Sequence, residues 1–87
     1  MLIVYGPHFK KGYVKLSQRL KDKVAERLRI FARNEFDALL NNHPLKHEYD
    51  GYRSINVTGD WRIIYKKEGD GVGKLYDIGT HHQLFGK

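Results

Sequence analysis

The 87-residue chain has no cysteine, two prolines, one tryptophan and no apolar run longer than the five residues Met1–Tyr5. Each shortage excludes something. Without cysteine there is no disulfide framework and no thiolate nucleophile, which fits a reducing cytoplasm. The Met1–Tyr5 run falls far short of a signal-peptide core or of the ~20 residues that span a membrane, so no membrane partner is expected. Acidic residues are also in short supply: 10 Asp and Glu face 16 Lys and Arg, for a formal charge of +6. Such a surplus favours a polyanionic partner, either nucleic acid or an acidic protein segment. Serine occurs only at positions 17 and 54, neither in a nucleophile-elbow context. The glycine-rich stretch 69–73 opens no helix and lacks the Lys-Ser/Thr of a phosphate-binding loop, so it reads as a hairpin. Five histidines are present without an acidic cluster beside them, and no metal site is expected.

What is there is patterned. Residues 2–5 read as a strand stopped by Gly6-Pro7, and Pro7 suits the first turn of a helix because its missing N–H has no partner there anyway. Phe9, Tyr13 and Leu16 give that helix, from about Pro7 to Leu16, one apolar edge. Ser17 is a good N-cap for a second helix, in which Leu20, Val24, Leu28 and Phe31 recur as a core stripe. Its other faces carry Arg27, Arg29 and Arg33 among several cations. From Asn34 to Lys46 the pattern fits either a continued helix or an ordered loop, and Asn41-Asn42-His43-Pro44 ends any helix there. Three strands follow: Tyr52–Val57, Trp61–Lys67 and Leu75–Gly79. The expectation is an α+β chain in the order β-α-α-β-β-β, an antiparallel sheet with both N-terminal helices packed on one face. No repeat, linker or composition shift divides it, so residues 1–87 read as one domain.

Alternation assigns the faces. Trp61, Ile63 and Tyr65 belong against the helices, which sends Arg62, Ile64 and Lys66 to the other side, beside Ser54 and Asn56 of the neighbouring strand. Arg53 falls on the helix side by strict alternation, unless the bend after Gly51 frees it. On the open face Asp60, Arg62 and His81 come near one another: an acid/base pair with a fixed cation. Cleavage of an RNA phosphodiester by its own 2′-OH needs those parts. Histidine titrates near neutrality, and arginine offers a planar, permanently charged fork to phosphate oxygens. Asp60 is read equally as a turn former and as a general base or histidine-orienting group. His43 and Lys46 precede the second strand and could line the same cleft.

His43-Pro-Leu-Lys46, Gly51-Tyr-Arg53, Asp60-Trp-Arg-Ile-Ile-Tyr65 and Asp77-Ile-Gly-Thr-His81 followed by Leu84-Phe-Gly86 together resemble the RelE/ParE superfamily of toxins from type II toxin–antitoxin systems. The likeness is strongest to the YafQ-like branch and most specific from His43 onward. It implies a small endoribonuclease, an mRNA interferase, that cuts mRNA on the ribosome without a cofactor. His81 and His43 would be its acid/base residues, with Asp60 assisting and Arg62 stabilising the phosphate. Lys46, Arg53, Asn56 and Lys66 would contact RNA near the cut, and Arg27, Arg29 and Arg33 would contact rRNA backbone. An acidic antitoxin protein is the implied partner. YafQ-like toxins carry His where this chain has Asn56, which cannot exchange a proton at neutral pH, so either His43 takes the base role or turnover is weaker. The superfamily also implies two other outcomes, a ParE-like inhibitor of DNA gyrase or an inactive toxin that only binds antitoxin.

Overall fold

A computed structural model describes residues 1–86. In chain order the elements are β1 (Leu2–Tyr5), α1 (Pro7–Tyr13), α2 (Gln18–Arg33), β2 (His43–Pro44), β3 (Arg53–Asn56), β4 (Trp61–Lys67), β5 (Val72–Thr80) and α3 (His81–Phe85). Short 3₁₀ turns at Ala38–Leu40 and His47–Tyr49 flank β2. Pro7 stands at the start of α1, and the Ser17 side chain accepts the Leu20 N–H at 3.2 Å, so both helices begin where the sequence signals them.

The strands form one sheet in the order β1-β5-β4-β3-β2. The expected antiparallel meander is its centre: β3 pairs with β4 and β4 with β5, both antiparallel. Two strands extend it. β1 lies parallel to β5, with Leu2 opposite Val72 and Tyr5 opposite Leu75, so the sheet is mixed rather than wholly antiparallel. β2 adds two residues at the far edge, pairing His43 with Ser54 and Pro44 with Arg53. The turn from β1 into α1 requires Gly6, because a Cβ there would sit 2.6 Å from the Leu75 carbonyl oxygen.

Helices α1 and α2 cover one face. Phe9, Val24, Leu28 and Phe31 meet Ile55, Val57, Ile63, Tyr65, Leu75 and Ile78, all buried, and Trp61 packs on the edge of this core. Burial of a side chain of this kind is worth about 1.5–3 kcal/mol, and this holds the helices to the sheet. The other face is only partly covered. There α3 folds back across β5, which the absent side chain of Gly79 permits: a Cβ at that position would meet Leu84 Cγ at 3.2 Å and Gln83 Oε1 at 3.1 Å. Ile64, Ser54 and Leu84 are buried although they lie outside the main core.

The β4–β5 register slips at one place, from Ile64 opposite Asp77 to Tyr65 opposite Leu75. Tyr76 is therefore the extra residue of a β-bulge. A bulge re-aims the side chains beside it, so Tyr76 and Asp77 both reach the open side while Leu75 and Ile78 stay in the core.

Candidate active site

His43, Arg62 and His81 line one cleft of about 370 Å³ on the open face, together with Asn41, Leu45, Ser54 and Phe85. Three elements deliver them. β2 carries His43, the centre of the sheet carries Arg62, and His81 is the first residue of α3. Thr80 caps α3: its hydroxyl accepts the Gln83 N–H at 3.1 Å, and its own N–H donates to the Gln83 side chain at 2.8 Å. The His81 backbone N–H donates to the Asp60 carbonyl at 3.0 Å, tying this helix start to the β3–β4 turn. Its ring packs against Phe85 with centroids 5.0 Å apart.

The orientation of His43 has a local cause. Asn41 adopts a left-handed backbone with φ 46°, a conformation asparagine tolerates better than most residues, and its carbonyl then faces the His43 ring. His43 Nδ1 lies 2.9 Å from that oxygen. A carbonyl only accepts, so Nδ1 carries the proton and the neutral ring keeps its lone pair on Nε2. The geometry leaves Nε2 as the basic atom of a neutral His43 ring.

Arg62 stands between Asn56 on β3 and Gly79 on β5. Its Nη1 donates to the carbonyls of Thr58 at 3.1 Å and Trp61 at 3.2 Å, which fixes the fork over the cleft. Among the described residues its other nitrogens make no hydrogen bond, and they remain available to an anion. Beside it Ser54 Oγ and Asn56 Oδ1 are buried without a protein partner. An unpaired buried acceptor costs about 1–3 kcal/mol, so this floor is poised to accept hydrogen bonds from a ligand.

The remaining sequence-expected residues divide. Asp60 is exposed and does not line the cleft; its contribution is the backbone carbonyl that holds His81. Lys46 lines an adjoining cleft of about 330 Å³ with His47 and Tyr49, joined to the first over Leu45 and Phe85. Lys66 lies on the open face with Nζ 5.3 Å from the Tyr52 ring centroid. Arg53 is not brought to the cleft. It follows strict alternation, standing on the helix side opposite Tyr65, where its Nε donates to Asn42 Oδ1 at 2.7 Å and its guanidinium lies over Phe36. Arg27 donates to the Val57 carbonyl at 3.2 Å and so joins α2 to the end of β3 rather than projecting as a free cation. Arg29 and Arg33 are exposed on α2, across the sheet from the cleft.

Sequence reasoning missed the residues that hold His43 in place. Asn42 donates to the Glu35 carbonyl at 2.8 Å and to the Tyr65 hydroxyl at 2.7 Å while accepting from Arg53. Tyr65 donates onward to Glu35 at 2.8 Å, and Lys67 pairs with the same carboxylate at 2.8 Å. Burial alone would raise the Glu35 carboxyl, but the hydrogen bonds from Lys67 and Tyr65 and the charges of Lys67 and Arg53 outweigh it and leave the group below its ordinary value. Burial pushes the Tyr65 hydroxyl up to about 12; Glu35 adds to the rise and Asn42 opposes it. The Asn-Asn pair before His-Pro was the available signal, since asparagine both accepts left-handed backbone and satisfies several partners at once.

A larger concavity, of about 720 Å³, opens elsewhere, between β1, α1 and α2. Its lining, including Ile3, Phe9, Tyr13 and Leu28, holds no histidine or carboxylate and so brings no acid/base pair together. Among the described residues no three His, Asp or Glu side chains converge to hold a metal, and no helix is long and apolar enough to cross a membrane.

The fold has known counterparts. Residues 1–86 match the family model described as the bacterial toxin of type II toxin–antitoxin system, YafQ. The chain belongs to the YafQ family. A curated member, the mRNA interferase toxin YafQ of Escherichia coli, is 37% identical over 89 residues, spanning 97% of this chain and 95% of that protein. The crystal structure of Escherichia coli YafQ superposes with a TM-score of 0.78 at 32% identity, covering 95% of this chain and 96% of the other. YafQ in the Escherichia coli DinJ–YafQ complex gives 0.75 at 33% identity, covering 95% and 96%. The likeness to these YafQ structures thus extends over nearly the whole chain.

Proposed function

We propose that this protein is the toxin of a type II toxin–antitoxin pair and acts as an mRNA interferase, a metal-independent endoribonuclease working on translated mRNA in the cytoplasm, with the whole chain serving as one toxin domain. The observation that carries the reading is the convergence of His43, Arg62 and His81 on one cleft, with His43 Nδ1 held on a backbone carbonyl. His43 Nε2 takes the proton from the ribose 2′-OH, and the freed oxygen attacks phosphorus. Arg62, with Lys46 at the margin, neutralises the phosphorane, and His81 gives its proton to the 5′-oxygen as the P–O5′ bond breaks. The products are a 2′,3′-cyclic phosphate and a free 5′-hydroxyl. No cofactor enters, because the nucleophile belongs to the substrate. Asp60 acts through the carbonyl that positions His81, and Asn56 through its place beside Arg62. The exposed cations Arg29 and Arg33 suit rRNA backbone on the far side of the molecule.

The net charge of +6 suits an acidic antitoxin as the partner, and an Escherichia coli relative has been solved in complex with DinJ. The test is induced expression of wild type and His81→Ala with mapping of mRNA 5′ ends. Growth arrest with new 5′ ends, both abolished by the substitution, is the expected result. Arrest that survives His81→Ala with mRNA intact would sink the nuclease reading.

A further inference from the structure

Aromatic rings run in succession across the open face, from α1 to the cleft. His8 stacks on Tyr76 with centroids 5.8 Å apart and planes 12° from parallel. Tyr76 meets Tyr52 at 5.2 Å and Tyr49 at 6.5 Å. Tyr49 meets Phe85 at 5.8 Å, and Phe85 reaches His81. The mechanism above uses only the inner end of this row.

Two features separate the outer part from ordinary packing. The first is exposure: Tyr76 remains 39% exposed, and it is the bulge in β5 that turns it onto this face. The second is charge. Lys66 Nζ lies over the Tyr52 ring, 5.3 Å from its centroid, so a cation and aromatic rings are presented together, a combination that suits a phosphate and its base. The neighbouring carboxylate, Asp77, is already engaged. Its Oδ1 accepts the Ile78 N–H at 2.8 Å and its Oδ2 lies 3.7 Å from His8 Nε2. RNA that enters a cleft for in-line attack must have its bases unstacked from one another, and those bases need other surfaces to rest on.

We propose that Tyr52 and Tyr76, with Lys66, form a stacking platform for unpaired nucleotides flanking the scissile bond. The proposal rests on the nuclease reading and adds a subsite to it. The platform offers ring faces and one ammonium group rather than a pattern of hydrogen-bond donors, so it holds RNA with little regard to base identity.

The test is single-turnover cleavage of mRNA on programmed ribosomes, with toxin concentration varied. Tyr76→Ala should raise the half-saturating concentration roughly 10-fold and leave the limiting rate within about 2-fold, because the lost contact serves substrate and transition state alike. Tyr76→Phe and Tyr52→Phe should behave as wild type, since the ring face is what binds. If Tyr76→Ala saturates like wild type while His81→Ala is inactive, the platform is wrong and the nuclease reading stands. If wild type does not cleave, both fall. Should Tyr76→Ala fail to fold, mRNA carrying 5-bromouridine beside the cut decides with the wild-type protein. Photocrosslinks to Tyr52 or Tyr76 support the platform, and crosslinks that avoid both overturn it.

Discussion

The two faces of the central sheet are built from alternate residues of the same strands and differ in almost every respect. On the helix side Ile55, Val57, Ile63, Tyr65, Leu75 and Ile78 are buried against α1 and α2. On the open side the same strands present Ser54, Asn56, Arg62, Lys66 and Tyr76, only partly roofed by α3. One face spends its side chains on cohesion. The other keeps two buried acceptors unpaired and an arginine half-committed to backbone carbonyls, an arrangement that only a rigid support could hold. The comparison teaches that stability and chemistry are separable here at a resolution of one residue along a strand.

Substitutions can break that comparison, and the largest effect comes from the open face. His81→Ala and His43→Ala should each lower the cleavage rate by about 10²–10⁴. Both side chains are exposed, so the thermal unfolding midpoint should barely move. A variant that lost its fold along with its activity would show the faces to be interdependent. On the helix side, one residue along β4 from Arg62, Ile63→Ala should do the reverse. It should destabilise the protein by about 2–5 kcal/mol in denaturant unfolding, with the rate per folded molecule retained.

Asn42 sharpens the comparison because it belongs to both sides. It sits in the Glu35–Tyr65–Arg53 network and is joined in sequence to His43. Asn42→Ala should cost about 1–3 kcal/mol by leaving partners unsatisfied, and it should also slow cleavage roughly tenfold by loosening His43. Stability lost without any change in rate would place Asn42 on the helix side alone. The smallest effect is one of pH. The Glu35 carboxyl is depressed in the folded protein, so its contribution is complete above its ordinary value of 4.5 and is lost as pH falls through the lowered one. A denaturation series from neutral to acid pH should therefore show a shallower decline for Glu35→Gln than for wild type. Parallel curves would remove Glu35 from the account.

What could be read from the residues depended on the range over which each cause acts. The Ser17 cap, the α2 stripe and the alternation of β4 are local, and each appears where its pattern lies. Arg53 obeyed the same alternation and stands on the helix side, away from the cleft, because no bend lifts it off that face. The parallel pairing of β1 was illegible because it joins residues about seventy positions apart, a relation that no period encodes. β2 is too short for alternation to register. The start of α3 was written in Thr80-His-His-Gln83, a capping-box pattern, yet the five-residue helix behind it is too brief to announce itself by periodicity. The cleft was legible as far as His43, Arg62 and His81, because their chemistry is distinctive. The left-handed Asn41 that aims His43 had its signal in the Asn41-Asn42 pair, but asparagine only tolerates that backbone and does not demand it.

The pairing of β1 with β5 also bears on the order in which the protein is made. The first strand leaves the ribosome early but has no neighbour in the sheet until residues 72–75 follow it, and His81 comes later still. Contacts so distant in sequence form late and slowly. In a nascent chain the supporting helices therefore precede the strand that pairs with β1, and His81 follows that strand, so the cleft is completed only after its support has been made.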